Sequence, residues 1–151
     1  VFGRTYNMFE SYRLDDAERV VVAINSVAGE IKEVIDELRE QGEKVGLLKI
    51  RAFRPFPYDE IAKALSGCKI VTVMDRSTSM GAFGPLYSEI SNALYNAENK
   101  PMLYNRTYGL GGREMLLDDI KDVFTESKEY LTKGKIDEMT KFLNVRGYQR
   151  C

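Results

Sequence analysis

Apolar residues along this chain fall into two alternating rhythms. Val20–Ile24, Val45–Ile50, Ile70–Met74 and Met102–Tyr104 are short apolar runs. The first three are nearly continuous rather than alternating, the pattern of strands covered on both faces. Between the runs the apolar positions space out to a helical period. Ile31, Val34, Ile35 and Leu38 follow i, i+3, i+4, i+7, with Lys32, Glu33, Asp36, Glu37 and Arg39 on the other side and Gly42 as the stop. Ile61, Ala64 and Leu65 form a shorter stripe just after Pro57. Leu86, Ile90, Ala93 and Leu94 form a third, and Leu116, Ile120, Val123 and Phe124 begin a fourth that reaches Leu131.

Strand and helix alternating in this way predict an α/β domain. Its sheet would be parallel or mostly parallel, with helices on both faces and right-handed crossovers. The ends are less regular. Met8–Glu18 reads as a packed lead-in or short helix, and Asp15 and Asp16 as a turn or cap in preference to a metal site. Thr132–Cys151 carries Lys133, Lys135, Lys141, Arg146 and Arg150 against Asp137 and Glu138. Ile136, Met139 and Leu143 predict one amphipathic helix there, docked on the body or on a partner. The predicted organisation is therefore a domain over residues 1–131, with 1–18 as lead-in, and a basic helical tail over 132–151. No internal repeat or low-complexity tract is present.

Composition narrows the chemistry. The chain has 151 residues, enough for one domain and its core, with 44% apolar and 30% charged residues. A net charge of −1 gives no reason to expect nucleic acid or an anionic membrane as partner. No apolar run approaches the roughly 20 residues needed to cross a bilayer. No signal peptide is visible, and a start at Val1 suits a processed product or an excised fragment. There is no histidine, so histidine triads, HExxH metal sites and imidazole catalysis are excluded. Two cysteines, Cys68 and Cys151, make neither an iron–sulfur nor a zinc framework. They read as free thiols in a reducing, cytoplasmic setting.

The most informative segment is Val45–Pro57, where an apolar strand runs into an arginine-rich loop locked by two prolines. Pro55 and Pro57 fix φ and push Arg54 and Phe56 out of helical geometry. The expected result is a stiff platform at the carboxyl end of a strand, displaying Arg51, Arg54 and Phe56. In open α/β sheets that edge is where ligands and partners meet the fold.

Three further loops stand at the same edge. Ser26–Glu30 could hold an anion at a helix amino terminus, but the spacing is neither G-x-G-x-x-G nor G-x-x-x-x-G-K-[ST], so a plain turn is favoured. Asp75–Leu86 is richer. Asp75 and Arg76 would lie near Arg54, Gly81 and Gly84 permit close backbone approach, and Pro85 opens a helix. Partner contact is favoured there, with a phosphate site as the alternative. Tyr108–Glu114, with Gly109, Gly111 and Gly112, reads as a tight turn. The tyrosines Tyr6, Tyr12, Tyr104 and Tyr108 read as core or interface residues in preference to a base-stacking surface. No nucleophile with an adjacent base and no carboxylate quartet is readable.

Several segments together resemble a known family. They are Gly3-Arg4-x-Tyr6, Glu10-x-Tyr12-Arg13, Asp16-Ala17-Glu18, Leu47–Pro57 with its Arg-x-Phe-Arg-Pro-Phe-Pro, Asp75-Arg76-Ser77, Gly84-Pro85-Leu86 and Gly109-Leu110-Gly111-Gly112-Arg113. They resemble the carboxyl-terminal part, core domain II, of the alpha subunit of pyruvate:ferredoxin oxidoreductase (pyruvate synthase). The resemblance spans roughly Gly3 to Phe124. It implies a three-layer α/β/α fold similar to the transketolase carboxyl-terminal domain, with a mixed five-stranded sheet.

The resemblance also implies a setting. Enzymes of this family use thiamine diphosphate with magnesium, iron–sulfur clusters and coenzyme A. They oxidatively decarboxylate pyruvate to acetyl-CoA and carbon dioxide and pass electrons to ferredoxin. The chain lacks a Gly-Asp-Gly…Asn stretch and the cysteine sets, so the implied role is a non-catalytic assembly domain that binds no cofactor itself. Its partners would be the amino-terminal pyrimidine-binding domain of the same subunit, the beta, gamma and delta subunits and, through the complex, ferredoxin, with no nucleic acid and no membrane. By analogy Arg54, Phe56, Asp75 and Arg76 would face a neighbouring domain or protomer. Two other readings stay open: the equivalent domain of another thiamine enzyme, such as transketolase or a dehydrogenase E1 component, and an independent flavodoxin-like module holding a phosphate or nucleotide at the Gly81–Gly84 turn.

Overall fold

A computed structural model describes residues 7–145. The elements are β1 (Phe9–Tyr12), β2 (Arg19–Ile24), α1 (Val27–Glu40), β3 (Val45–Ile50), α2 (Tyr58–Ala64), β4 (Ile70–Asp75), α3 (Pro85–Leu94), β5 (Met102–Thr107), α4 (Leu117–Lys133) and β6 (Thr140–Phe142). They build one sheet in the order β1-β3-β2-β4-β5-β6. Among the described strands only the β1–β3 pairing is antiparallel.

Successive strand residues point to opposite faces, and the continuous apolar runs bury both. Val20, Val22, Leu48, Ile50, Val71 and Val73 meet α2 and α3 through Ile61, Leu65, Leu86 and Ile90. Val21, Ala23, Val45, Leu47 and Met74 meet α1 and α4 through Ile31, Val34, Ile35, Ile120 and Phe124. The three-layer α/β/α arrangement and the mostly parallel sheet match the expectation. The strand count does not: the described residues form six strands, with a short edge strand on either side of the four central ones.

At the amino end, the expected lead-in or short helix is instead the edge strand β1. Phe9 pairs with Ile50 and Tyr12 with Leu47, which closes the hydrogen-bonding edge of β3. Side chains fasten it to α1. The Tyr12 hydroxyl donates to Asp36 at 2.8 Å, and Glu10 takes a salt bridge from Lys32 and another from Arg51 at 2.7 Å. These bonds hold the Glu10 carboxyl below the usual carboxylate range, the Lys32 hydrogen bond being the largest cause.

At the other end, the expected amphipathic helix over Thr132–Cys151 is absent from its described part. Gly134 adopts left-handed geometry and ends α4, and Thr140–Phe142 then pairs parallel with Asn105–Thr107. The reason lies on β5, which runs on past its apolar start through Asn105, Arg106 and Thr107. Arg106 is fully buried. Its guanidinium lies 4.5 Å from the Tyr104 ring centroid, bonds Glu126 at 2.7 Å and donates to the Glu138 carbonyl at 3.1 Å. That last bond draws the segment before β6 onto the sheet. Residues 146–151 of the tail lie outside the described residues.

A second buried polar group ties β4, α3 and β5 together. Asp75 accepts from the Leu86 and Tyr87 N–H groups at 2.9 and 3.0 Å and from Asn105 Nδ2 at 2.9 Å. It thereby satisfies the open donors at the start of α3. Gly84 is required by this approach: a Cβ there would stand 2.2 Å from the Asp75 carboxylate.

Three stability outcomes are expected. Asp75→Asn turns an amide N–H toward backbone donors and should cost about 1–3 kcal/mol in urea unfolding. Arg106→Leu removes the buried guanidinium that bridges Glu126 and the Glu138 carbonyl, so a loss of about 3 kcal/mol or more is expected. For Glu10 the folded pKa is depressed. Its stabilising contribution is therefore complete above the unfolded carboxylate value and is lost as pH falls through the lower folded value. Glu10→Gln should flatten that part of the stability–pH curve.

Candidate functional site

Strands β3, β2, β4 and β5 are mutually parallel, so the loops that follow them share one edge of the sheet. Arg54, after β3, and Arg76, after β4, therefore stand at the same end, as expected. Strand β2 lies between, which separates the two strand ends by two spacings, roughly 10 Å. The described chain also enters and leaves here. Arg51 N–H donates to the Met8 carbonyl at 2.9 Å, and Leu143 N–H to the Thr107 carbonyl at 2.8 Å.

The proline-locked loop divides its residues between display and support. Arg54 is displayed, with its side chain 62% exposed. It is also held: its guanidinium lies 4.2 Å from the Phe53 ring centroid, donates to the Phe53 carbonyl at 2.8 Å and bonds Glu89 on α3 at 2.7 Å. The Tyr58 hydroxyl donates to the same glutamate, and that bond raises the Tyr58 pKa. Arg51 is partly occupied with Glu10. Phe56, expected on the platform surface, is buried instead, at 8% exposure. Two aromatic neighbours explain it: Phe56 packs edge-on against Phe53 and Tyr58, with centroids 6.0 and 5.1 Å away, and joins the core under α2 and α3.

The loop after β4 shows the same division. Asp75 faces inward as the anchor of α3, and Gly84 makes room for it, so neither presents itself to a neighbour. Gly81 stands in open space at φ +72° and turns the loop outward. Beside it Met80 is fully exposed and Phe83 partly so, the latter against Tyr87 at 4.6 Å. Thr78 donates to the Ala82 carbonyl at 2.8 Å and braces the loop. Between these residues and Thr140 and Phe142 lies an apolar groove of about 380 Å³. Sequence reading passed over Met80 and Phe83. Apolar residues beside Gly81 in a loop were the available signal.

Arg76 turns toward the next loop. Its side chain crosses Gly109, where a Cβ would meet Arg76 Nε at 3.1 Å. Tyr108, Gly112 and Arg113 from that loop, with Ser26 and Glu30 from the start of α1, line a cavity of about 460 Å³ with it. Tyr108 is 5% exposed, and burial pushes its pKa up.

No catalytic set assembles among these groups. The Cys68 thiol is buried, which pushes its pKa up to about 11 and leaves it unreactive. Among the described residues no group of three histidine, cysteine, aspartate or glutamate side chains could hold a metal ion. No described helix is long and apolar enough to cross a membrane.

Comparison with known proteins gives this edge its context. Residues 17–120 match the family described as pyruvate:ferredoxin oxidoreductase core domain II. Pyruvate synthase subunit PorA of Thermotoga maritima is 48% identical over 145 residues, 96% of this chain and 36% of that protein. Ketoisovalerate oxidoreductase subunit VorA of Pyrococcus abyssi is 38% identical over 146 residues, again 96% of this chain and 37% of that protein. The chain thus spans little more than a third of the length of these relatives. Among solved structures, 2-oxoglutarate:ferredoxin oxidoreductase from Magnetococcus marinus superposes with a TM-score of 0.59 at 19% identity, over 81% of this chain and 20% of that one. A split-gene transketolase superposes with a TM-score of 0.58 at 15% identity, over 82% of this chain and 41% of that one. Both likenesses speak for the fold alone. By family match and by identity along nearly its whole length, the chain belongs to the pyruvate:ferredoxin oxidoreductase core domain II family.

Proposed function

We propose that this chain is the docking domain of the alpha-type subunit of a thiamine-diphosphate-dependent 2-oxoacid:ferredoxin oxidoreductase. It contributes assembly, and the bond-making groups belong to other domains of the complex. The observation that carries this reading is the composition of the carboxyl edge. A held, exposed arginine and an exposed Met80–Phe83 loop share that edge, and among the described residues no metal-ligand group accompanies them.

The physical case is one of low ordering cost. Arg54 is already fixed by Phe53 and Glu89, so little rotamer freedom is left to lose on docking. Arginine and large apolar side chains that become desolvated at the centre of an interface are typical anchors. Polypeptide continuing from either described end would leave from this same edge. The partners that fit are the amino-terminal pyrimidine-binding domain of the same subunit and the companion beta, gamma and delta subunits, with ferredoxin meeting the assembled complex.

At the level of the complex, the reading is oxidative decarboxylation of pyruvate to acetyl-CoA and carbon dioxide, in the cytoplasm. Thiamine diphosphate, magnesium, the clusters and coenzyme A would be held by other domains. Ketoisovalerate is the second reading, favoured by the identity to VorA proteins, 41% over 131 residues for that of Pyrococcus furiosus.

Arg54→Ala in the intact complex should weaken assembly by about 2 kcal/mol without changing the fold of this domain. Met80→Ser with Phe83→Ser should weaken it independently. Sedimentation at matched salt reads the dissociation, and circular dichroism reads the fold. A complex unchanged by both variants would overturn the docking reading.

A further inference from the structure

The cavity under Arg76 lies at a particular place in the topology. Strand β2 is followed on one side by β3 and on the other by β4, so the chain reverses its direction of travel across the sheet between β2 and β4. The loops after these two strands diverge there and open a crevice at the carboxyl edge, the usual ligand position of open α/β sheets. The cavity of about 460 Å³ sits in it, lined by Ser26 after β2, Arg76 after β4, and Tyr108 and Arg113 after β5. Its volume is within the usual range for small-molecule pockets.

Arg76 and Tyr108 line the cavity without a hydrogen-bond partner among the described residues. Arg76 has no ion pair or hydrogen bond with any described residue, although it stands within electrostatic reach of Tyr108. It differs in this from Arg54, Arg51 and Arg106, each of which has a carboxylate. Tyr108 lines the cavity at 5% exposure, and its hydroxyl makes no hydrogen bond with a described residue. The Tyr108 ring is buried while its hydroxyl is free to donate into the cavity. The first turn of α1, a 14-residue helix, adds its positive end, and its cap residue Ser26 makes no side-chain capping bond. Arg113 stands at the rim, with one of its N–H groups on the Asn144 carbonyl. Glu30 and Glu114 also line the cavity and supply acceptors.

We propose that this crevice binds a phosphorylated small molecule bearing hydroxyl groups. The phosphate lies between the Arg76 guanidinium, the Tyr108 hydroxyl and the amino end of α1, and sugar-type hydroxyls donate to Glu30. The glutamates decide this class. They would repel a bare polyanion and they reward a ligand that carries donors next to its phosphate, as acidic residues do for ribose hydroxyls in dinucleotide sites. Arg76 is set for the role because it rests on the backbone of Gly109, where any side chain would press against it.

The test is a titration of the 151-residue chain with ribose 5-phosphate and, separately, with inorganic phosphate at low salt, followed by amide NMR and calorimetry. Ribose 5-phosphate should shift Ser26, Val27, Gly109 and Gly112 and bind more tightly than inorganic phosphate. Arg76→Gln should weaken binding by about tenfold or more, and Tyr108→Phe by roughly threefold to tenfold, the losses expected for a charge-assisted and a neutral hydrogen bond. Arg76 makes no hydrogen bond or ion pair with a described residue, so that variant keeps the fold, and its amide dispersion checks this. Absence of any shift with both probes at roughly 10 mM, a Kd range worth no more than a few kcal/mol, overturns the proposal. Equal binding of the two probes overturns it, and so does binding left intact in Arg76→Gln. This outcome is separable from the docking reading, which is read from dissociation of the complex and does not depend on a small molecule.

Discussion

Four strands covered on both faces set the terms for everything else in this molecule. In β3, β2, β4 and β5 the backbone donors and acceptors are consumed by the ladder, and apolar side chains on both faces are sealed by α1 and α4 on one side and α2 and α3 on the other. Burying a polar group in such a layer costs several kcal/mol unless it finds a partner. Polar function is thereby pushed to the strand ends, and parallel pairing brings four of those ends to one edge. The concentration of arginines, glycines and exposed loops there follows from the sheet before any ligand or partner is considered.

The polar groups that do enter the layer have structural work. Asp75, at the last position of β4, joins α3 and β5 by three hydrogen bonds. It thereby fixes both ends of the loop that carries Met80. Arg106 performs the equivalent task on the outer side, where Glu126, Tyr130 and the Glu138 carbonyl hold α4 and the approach to β6. The exposed segments at the edge are consequently short spans between rigid posts. Their side chains are presented in few orientations, which is what low-entropy docking requires.

The apolar rhythm made the central strands, the four helices and the three layers legible, because a strand buried on both faces leaves a continuous run and a helix leaves a stripe. The edges were less so. Strand β1 is four residues of mixed polarity, Phe9–Tyr12, and its pairing is decided by an open neighbour rather than by its own pattern. Strand β6 is drawn in by Arg106, which in sequence is an ordinary charged residue after an apolar run. The site divided in the same way. The shared edge followed from strand polarity, and the stiffness of the Arg54 loop from its prolines. That Phe56 and Asp75 turn inward depends on neighbours distant in sequence, Phe53 and Tyr58 in one case and Asn105 and α3 in the other, and no local pattern carries that information. Gly84 shows the ambiguity well: a glycine before a helix looks like room for a ligand, and here the room is filled by the carboxylate of Asp75.

The two arginines at the edge differ in a way that separates their roles. Arg54 is preorganised by a ring, a carbonyl and a carboxylate, and its charge is largely answered within the domain. Such a group adds shape and orientation to a protein interface more than it adds field. Arg76 has no ion pair among the described residues and lies against the backbone of Gly109. Its field extends into the crevice, which Glu30 and Glu114 also line, beside a tyrosine hydroxyl that makes no hydrogen bond with a described residue. Docking favours the first kind of arginine and anion binding the second, and the sheet places them two strands apart, so one edge can serve both without either competing for the same side chain.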